Sequence, residues 1–262
     1  MIDSEPRTHN SEIIIQVDRL TASFGEETIL KDVSFDVFKG EIFIIMGGSG
    51  CGKSTLLKHM LGLQEPASGK VLINGIDVAA AGDNEMMKLR YGTGVLFQSS
   101  ALFGSMTLYE NVALPLQEFT RLSAEIIELI VKMKLGMVGL EGYENHFPSE
   151  LSGGMKKRAG IARAMALDPA VLFFDEPSAG LDPVTSAEID LLIKNINNGA
   201  GTTMVIVTHE LESIFSIAHR IIMLDKSKKG IIAEGNPWDL KEHSTDPRVI
   251  NFFTRHAMEH KK

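Results

Sequence analysis

Ile42-Phe43-Ile44-Ile45-Met46, followed by Gly47-Gly48-Ser49-Gly50-Cys51-Gly52-Lys53-Ser54, is the stretch that decides the fold. The first five residues are an unbroken apolar run, as a strand buried on both faces of a parallel sheet requires. The next eight fit the pattern G-x-x-x-x-G-K-[ST]. In it, backbone N–H groups cradle phosphates, the lysine reaches the terminal ones and the hydroxyl holds magnesium. Leu56, Leu57, Met60 and Leu61 then recur at helical spacing until Gly62, so a helix N-terminus with its partial positive charge faces the phosphates. Strand, loop and helix in this order predict a site for a nucleoside triphosphate and Mg2+, in which Thr55 is also counted.

The rest of the composition reads as that of an ordinary soluble globular protein. A chain of 262 residues, 44% hydrophobic and 23% charged, can bury a large core in one or two domains. Its apolar runs are about five residues long, against the roughly 20 needed to cross a bilayer, and Met1 to Glu12 reads as a loose polar tail rather than a signal peptide. A formal charge of -8 argues against a nucleic-acid grip, which calls for a basic face. A single cysteine, Cys51, forms no internal disulfide and suits a reducing cytoplasm. Its place beside a helix N-terminus and Lys53 predicts a lowered thiol pKa, with alkylation blocking ATP binding.

Outward from the loop, Ile13 to Val17 and Val33 to Val37 have strand character, joined through Phe24-Gly25-Glu26-Glu27. Gly69 to Gly75 holds a short strand, and Gly94 to Phe97 is another core strand that leads directly into Gln98. From Ser123, a plausible N-cap, Ile126, Ile127, Ile130, Met133 and Met137 form the apolar stripe of a helix. Val171 to Phe174, Met204 to Val207 and Ile221 to Leu224 alternate with helical stretches, the pattern of parallel strands with crossovers. Asp182-Pro183 and Asp246-Pro247 each open a helix, with aspartate as cap and proline at the first position. The second places Val249, Ile250 and Phe253 on one face. The fold class is therefore α/β, with an antiparallel strand region near the N-terminus and a helical insertion around residues 100–160.

Asp175 and Glu176 end the Val171 to Phe174 run, at the carboxyl edge of a parallel sheet where ligands bind in such folds. An aspartate there holds magnesium through water, and the glutamate after it acts as general base. His209, after the Met204 to Val207 strand, is placed to touch a terminal phosphate and the attacking water. Gln98 is placed to reach magnesium and sense the γ-phosphate. Read alone, either is as readily a structural residue; their order in the series gives them meaning. Ser152-Gly153-Gly154 precedes a helix rich in small residues and forms a second anion site at its N-terminus, although a glycine-rich turn before a capped helix has the same pattern.

Taken together, the phosphate loop, Gln98, Leu151-Ser152-Gly153-Gly154, Phe173-Phe174-Asp175-Glu176, Ser178-Ala179-Gly180-Leu181-Asp182 and His209 resemble, in order and spacing, the ATP-binding cassette ATPases. The resemblance covers residues 13 to about 235 and implies a P-loop NTPase cassette with a RecA-like core and an α-helical subdomain. On it, 13–245 is the cassette and 246–262 a C-terminal helical extension. It also implies that Phe24 stacks on adenine, where tyrosine is commoner, and that Asp182 belongs to the nucleotide site. Two copies would face head to tail, each ATP lying between one subunit's loop and the other's Ser152, Gly153 and Gly154.

Met155 stands where the family's signature usually has glutamine, which leaves a flexible apolar side chain there. With Leu96 to Phe103, Met106-Thr107, Glu110 to Leu116 and Asp246 to Val249, it resembles the ATPases of Mce-type lipid transporters, most closely the Mla phospholipid system. That likeness implies a complex at the cytoplasmic face of the inner membrane with a permease, an Mce-domain substrate-binding protein and a small accessory regulator, moving phospholipid between two membranes. An amino-acid importer's ATPase is the near alternative, and a soluble cassette acting on ribosomes or DNA the distant one. Leu102, Phe103, Met106 and Leu108 are expected to border the groove that receives a permease helix, or else to pack in the chain's own core. The end at His256, His260, Lys261 and Lys262 reads as solvated, without metal ligation.

Overall fold

The computed structural model describes residues 12–254. The tail expected over residues 1–12 lies outside these except for Glu12, which pairs with Lys39 at 3.1 Å; His256 to Lys262 also lie outside. The chain begins with strands β1 (Ile13–Phe24), β2 (Glu27–Phe38) and β3 (Ile42–Gly47), then helix α1 (Lys53–Met60), β4 (Ser68–Ile73), β5 (Ile76–Asp77), α2 (Asp83–Gly92) and β6 (Thr93–Leu96). Helices α3 (Leu108–Phe119), α4 (Ala124–Met137) and α5 (Gly153–Ala164) follow, then β7 (Val171–Asp175), α6 (Pro183–Ala200), β8 (Thr203–Val207), α7 (Leu211–Ile217) and β9 (Arg220–Asp225). Strand β10 (Gly230–Gly235) and helices α8 (Pro237–His243) and α9 (Pro247–Thr254) end the described chain.

Six strands form the main sheet in the order β10-β9-β3-β8-β7-β6. The five from β9 to β6 run parallel, and β10 closes one edge antiparallel to β9. All six residues of β3 are buried because the sheet is covered on both faces. Their alternation sends Ile42, Ile44 and Met46 to a core shared with α3, α4, α5 and α6, and Phe43 and Ile45 to a second core under the antiparallel sheet and α1.

The antiparallel sheet, ordered β2-β1-β4-β5, forms the other layer. Arg220 pins it to the main sheet. Its guanidinium donates to Glu41 at 2.8 Å and to the Asp36 carbonyl at 2.5 Å, and lies over the Phe38 and Phe43 rings at 4.9 and 4.8 Å.

Two expectations about faces need correction. In α4, Ile127, Val131 and Leu135 are buried, while Ile126, Met133 and Met137 of the expected stripe are exposed together with Leu129. The helix carries two apolar faces, and the one with room to pack against α3 and α5 turned inward. Ser123 does sit at its N-cap position, but its hydroxyl bonds no helical N–H. In α9, Val249 and Phe253, four residues apart, are buried in the main core, and Ile250 points outward.

Candidate functional site

The loop between β3 and α1 takes its shape from backbone that only glycine adopts easily. Gly47 has φ +147° and Gly52 φ +103°. A Cβ on Gly47 would collide with the Leu224 carbonyl, and one on Gly52 would lie 2.7 Å from Leu30 Cδ2. Lys53 folds across the mouth of the loop, donating to the carbonyls of Gly47 at 2.8 Å and Gly48 at 3.1 Å. Ser54 beside it is exposed, and Thr55 half-buried. Cys51 departs from expectation: it is 2% exposed, and burial pushes its thiol pKa up, outweighing the lowering by Lys53. Proximity to the helix terminus is a small effect once the sulfur has left water.

Strand β7 delivers the two carboxylates. Asp175, in register with Val207, sits where burial, and next the charge of Glu176, raise its pKa against the opposing pull of Lys157 and Lys53. Glu176 takes a left-handed backbone, φ +49°, held by its N–H donating to the Val207 carbonyl at 2.8 Å. That turn aims its side chain at the cleft, where Oε1 meets His209 Nδ1 at 2.8 Å. The Glu176 side chain is only 12% exposed, whereas His209 is 61% exposed. Glu176 Oε2 is buried with no hydrogen-bond partner among the described residues, and is left for a further donor.

A cleft of about 820 Å³ brings these groups together: Gly47, Gly48, Ser49, Gly50, Lys53, Ser54, Gln98, Glu176 and His209 all line it. Asp175, Thr55, Cys51 and Gly52 are not among the residues that line it. Glu210, Glu212 and Phe252 also line it, and nothing in their local sequence marks them. The oxygen atoms of Ser54 and Gln98 in the cleft, with the Asp175 carboxyl next in chain to Glu176, suit magnesium, which takes few protein ligands and keeps several waters. The orphan Glu176 oxygen adds an acceptor for such a water.

The remaining expected residues do not line this cleft, although Asp182 stands between Leu181 and Pro183, which do. Ser152 caps α5, its Oγ accepting from the Met155 N–H at 3.3 Å, and with Gly153 it faces solvent. A Cβ on Gly154 would lie 2.5 Å from Thr185 Cγ2, so α5 can approach α6 this closely only with glycine there. Asp182 caps α6, accepting from the Val184 and Thr185 N–H groups, both at 3.1 Å, and from the Thr185 hydroxyl at 2.5 Å. Phe24 closes β1 and is half exposed. None of Phe24, Ser152, Gly153, Gly154 and Asp182 lines the cleft that holds the loop. Met155 is half-buried and packs against the chain's own core, which accounts for an apolar residue at that place.

Sequence reading missed Lys157, a lysine 5% exposed on α5 whose ammonium donates to the Gln98 and Glu176 carbonyls. The available signal was a cation on the same helical face as Ile161 and Ala164. Of the residues expected either to border a permease groove or to pack in the core, Phe103 is half exposed and Met106 half-buried. Leu108 is buried and Leu102 packs on the core, and a separate apolar cleft of about 380 Å³ is lined by Leu63, Met86, Leu89, Phe97 and Phe119.

A family model described as ABC transporter matches residues 30–179, more than half of the chain. An intermembrane phospholipid transport system ATP-binding protein, MlaF of Haemophilus influenzae, is 42% identical over 239 residues, 91% of this chain and 89% of that protein. A probable ribonucleotide transport ATP-binding protein, mkl of Mycobacterium leprae, is 43% identical over 240 residues, 92% of this chain and 68% of that one. Among solved structures, the dimeric ATP-binding cassette MJ0796, in a post-hydrolysis state bound to ADP and Pi, superposes with a TM-score of 0.76 at 35% identity, covering 85% of this chain and 98% of its own. With that much sequence shared over nearly its whole described length, and a fold to match, this protein belongs to the ABC transporter family as one of its ATP-hydrolysing cassettes.

Proposed function

We propose that this chain hydrolyses ATP as the motor of a phospholipid transporter. The observation that carries the chemistry is the convergence of the phosphate loop, Gln98, Glu176 and His209 on one cleft, with Glu176 Oε2 buried and unpaired. In the reaction, the loop N–H groups and Lys53 bind the phosphates. Lys53 exchanges its contacts with the loop carbonyls for the β- and γ-phosphate oxygens. Glu176 takes a proton from the attacking water as its oxygen bonds to the γ-phosphorus, and the bond to the β–γ bridging oxygen breaks to leave ADP and phosphate. His209 orients the Glu176 carboxylate through Nδ1, leaving Nε2 for the phosphate. Ser54, Gln98 and Asp175 would hold magnesium, which when bound neutralises developing phosphate charge.

Ser152, Gly153 and Gly154 lie outside their own chain's cleft, which favours a head-to-tail dimer where they close the second cassette's site; Phe24 stacks on adenine and Asp182 belongs to the nucleotide site. Residues 13–245 form the cassette, with the helical subdomain at about 100–160, and 246–262 the extension. The apolar cleft around Leu89 and Phe97 suits a permease helix, and the whole would work at the cytoplasmic face of the inner membrane. Phospholipid as cargo is supported by the 42% identity to MlaF and by Met155. An Mce-domain protein and a small regulator are the further partners this reading requires.

Replacement of Glu176 by glutamine tests the chemistry. The rate constant should fall by about 10² to 10⁴ with ATP affinity retained, and the chain should run as a dimer in ATP; turnover within tenfold of wild type would sink the assignment of the base. For cargo, the chain is purified with its permease and assayed for ATP-dependent transfer of labelled phospholipid between vesicles. Stimulation of hydrolysis by ribonucleotide and not by phospholipid would favour the alternative that the mkl relative's name suggests.

A further inference from the structure

The helix that begins at Ser152 does more than present an N-terminus. One of its faces, Lys157, Gly160 and Arg163, grips the segment that carries Gln98. Lys157 Nζ donates to the Gln98 carbonyl at 2.6 Å and also to the Glu176 carbonyl at 3.0 Å. Among the described residues this ammonium pairs with no carboxylate, so its charge acts on two main-chain oxygens in a desolvated place. Burial pulls its pKa down, while the charges of Asp175, Glu176 and Glu210 oppose that pull. One turn on, Gly160 lets the helix press against the same segment: a Cβ there would lie 2.6 Å from Leu96 Cδ1 and 3.3 Å from Ser100 Cβ. Arg163 then donates to the carbonyls of Ala101 at 2.7 Å and Ser100 at 3.0 Å. Both acceptors sit on left-handed backbone, φ +46° and +63°, a conformation that non-glycine residues keep only where neighbours hold them.

We propose that Lys157 is a positioning residue that ties both Gln98 and Glu176 to the Ser152–Gly154 helix, so that engagement of this helix by the second cassette's nucleotide sets the catalytic groups of the first. The proposal rests on the head-to-tail dimer described above. A rigid helix with one end at the partner's phosphate and its Lys157 between the two segments of its own site gives each site a direct mechanical report of the other. A shift of about 1 Å in either segment is enough to misplace the attacking water and cost about a hundredfold in rate. The phosphate loop is not part of this linkage, so nucleotide affinity should be spared.

The test uses the full chain, with hydrolysis followed against ATP concentration and nucleotide binding measured separately. The wild type should show a Hill coefficient above 1, with 2 the limit for two sites. Lys157→Met should lower the rate constant by roughly 10- to 100-fold, leave the nucleotide Kd within about threefold, and bring the Hill coefficient to about 1. Lys157→Arg, which keeps a charged donor, should recover most of the rate. If the methionine variant is not recovered folded, Lys157→Leu carries the same expectation. The proposal is overturned by a wild-type Hill coefficient of 1, by cooperativity that survives the substitution, by a rate within twofold of wild type, or by affinity falling in step with rate as a plain structural strut would give. Failure of the dimer reading shows separately, as a single-cassette mass for Glu176→Gln in ATP.

Discussion

Asp190 should be worth more to this protein as asparagine. It lies on α6 at 5% exposure, facing α7, and its Oδ1 has no hydrogen-bond partner. Burial pushes its pKa up to about 6, with Glu210 adding to the rise and a hydrogen bond from Ser213 opposing it. The folded state thus prefers the neutral acid. Against an ordinary value of 3.8, the shift of about two units corresponds to roughly 3 kcal/mol, and solvent screening trims this to about 1–2 kcal/mol. Because the folded pKa is the higher one, the associated stability is fully present below pH 3.8 and is lost as pH rises through about 6. Asp190→Asn removes that loss. It should match the wild type near pH 4, show about half its gain at pH 5, and exceed the wild type by about 1–2 kcal/mol above pH 7, roughly 3–6 °C in Tm. Thermal unfolding followed by circular dichroism across this range is the assay. A gain independent of pH, or an asparagine variant less stable than wild type at pH 8, would refute the reasoning.

Gly154→Ala places a methyl 2.5 Å from Thr185 Cγ2, and should lower the rate constant about tenfold or more by tilting the start of α5; the double variant with Thr185→Ser, which removes the opposing methyl, should restore it, and no rescue would count against the packing argument. Cys51, buried and with a raised pKa, should react with a maleimide at least tenfold more slowly in the folded chain than in the unfolded one; equal rates would show that the thiol is open. Phe97→Glu, at the mouth of the smaller apolar cleft, should leave ATP binding intact while weakening assembly with the permease, read as loss of copurification; intact assembly and transport would show that this cleft is not the docking groove.

The parts legible in the sequence are those whose physical cause is contiguous. Ile42 to Ser54 states its strand, its glycine turn and its helix within thirteen residues, and Asp182-Pro183 states a cap that the structure shows bonded to Val184 and Thr185. Where two local solutions were equally good, only tertiary packing could choose. In α4 the faces of Ile126 and Ile127 are both apolar and differ by a rotation of about 100°; the bulk of α3 and α5 selected the second. For Cys51 the local rule and the packed environment had opposite signs, and desolvation outweighed the nearby lysine. Lys157 is the instructive failure, because its meaning depends on carbonyls 59 and 19 residues away. A sequence pattern names side chains, whereas this lysine reads main-chain oxygens, which carry no residue identity. Gln98 and Glu176 were recognisable by their side chains, but what holds them in place is visible only once their backbones converge on α5. The residues that perform the chemistry can thus be read locally, while a residue that sets their geometry is hidden in proportion to how far it reaches.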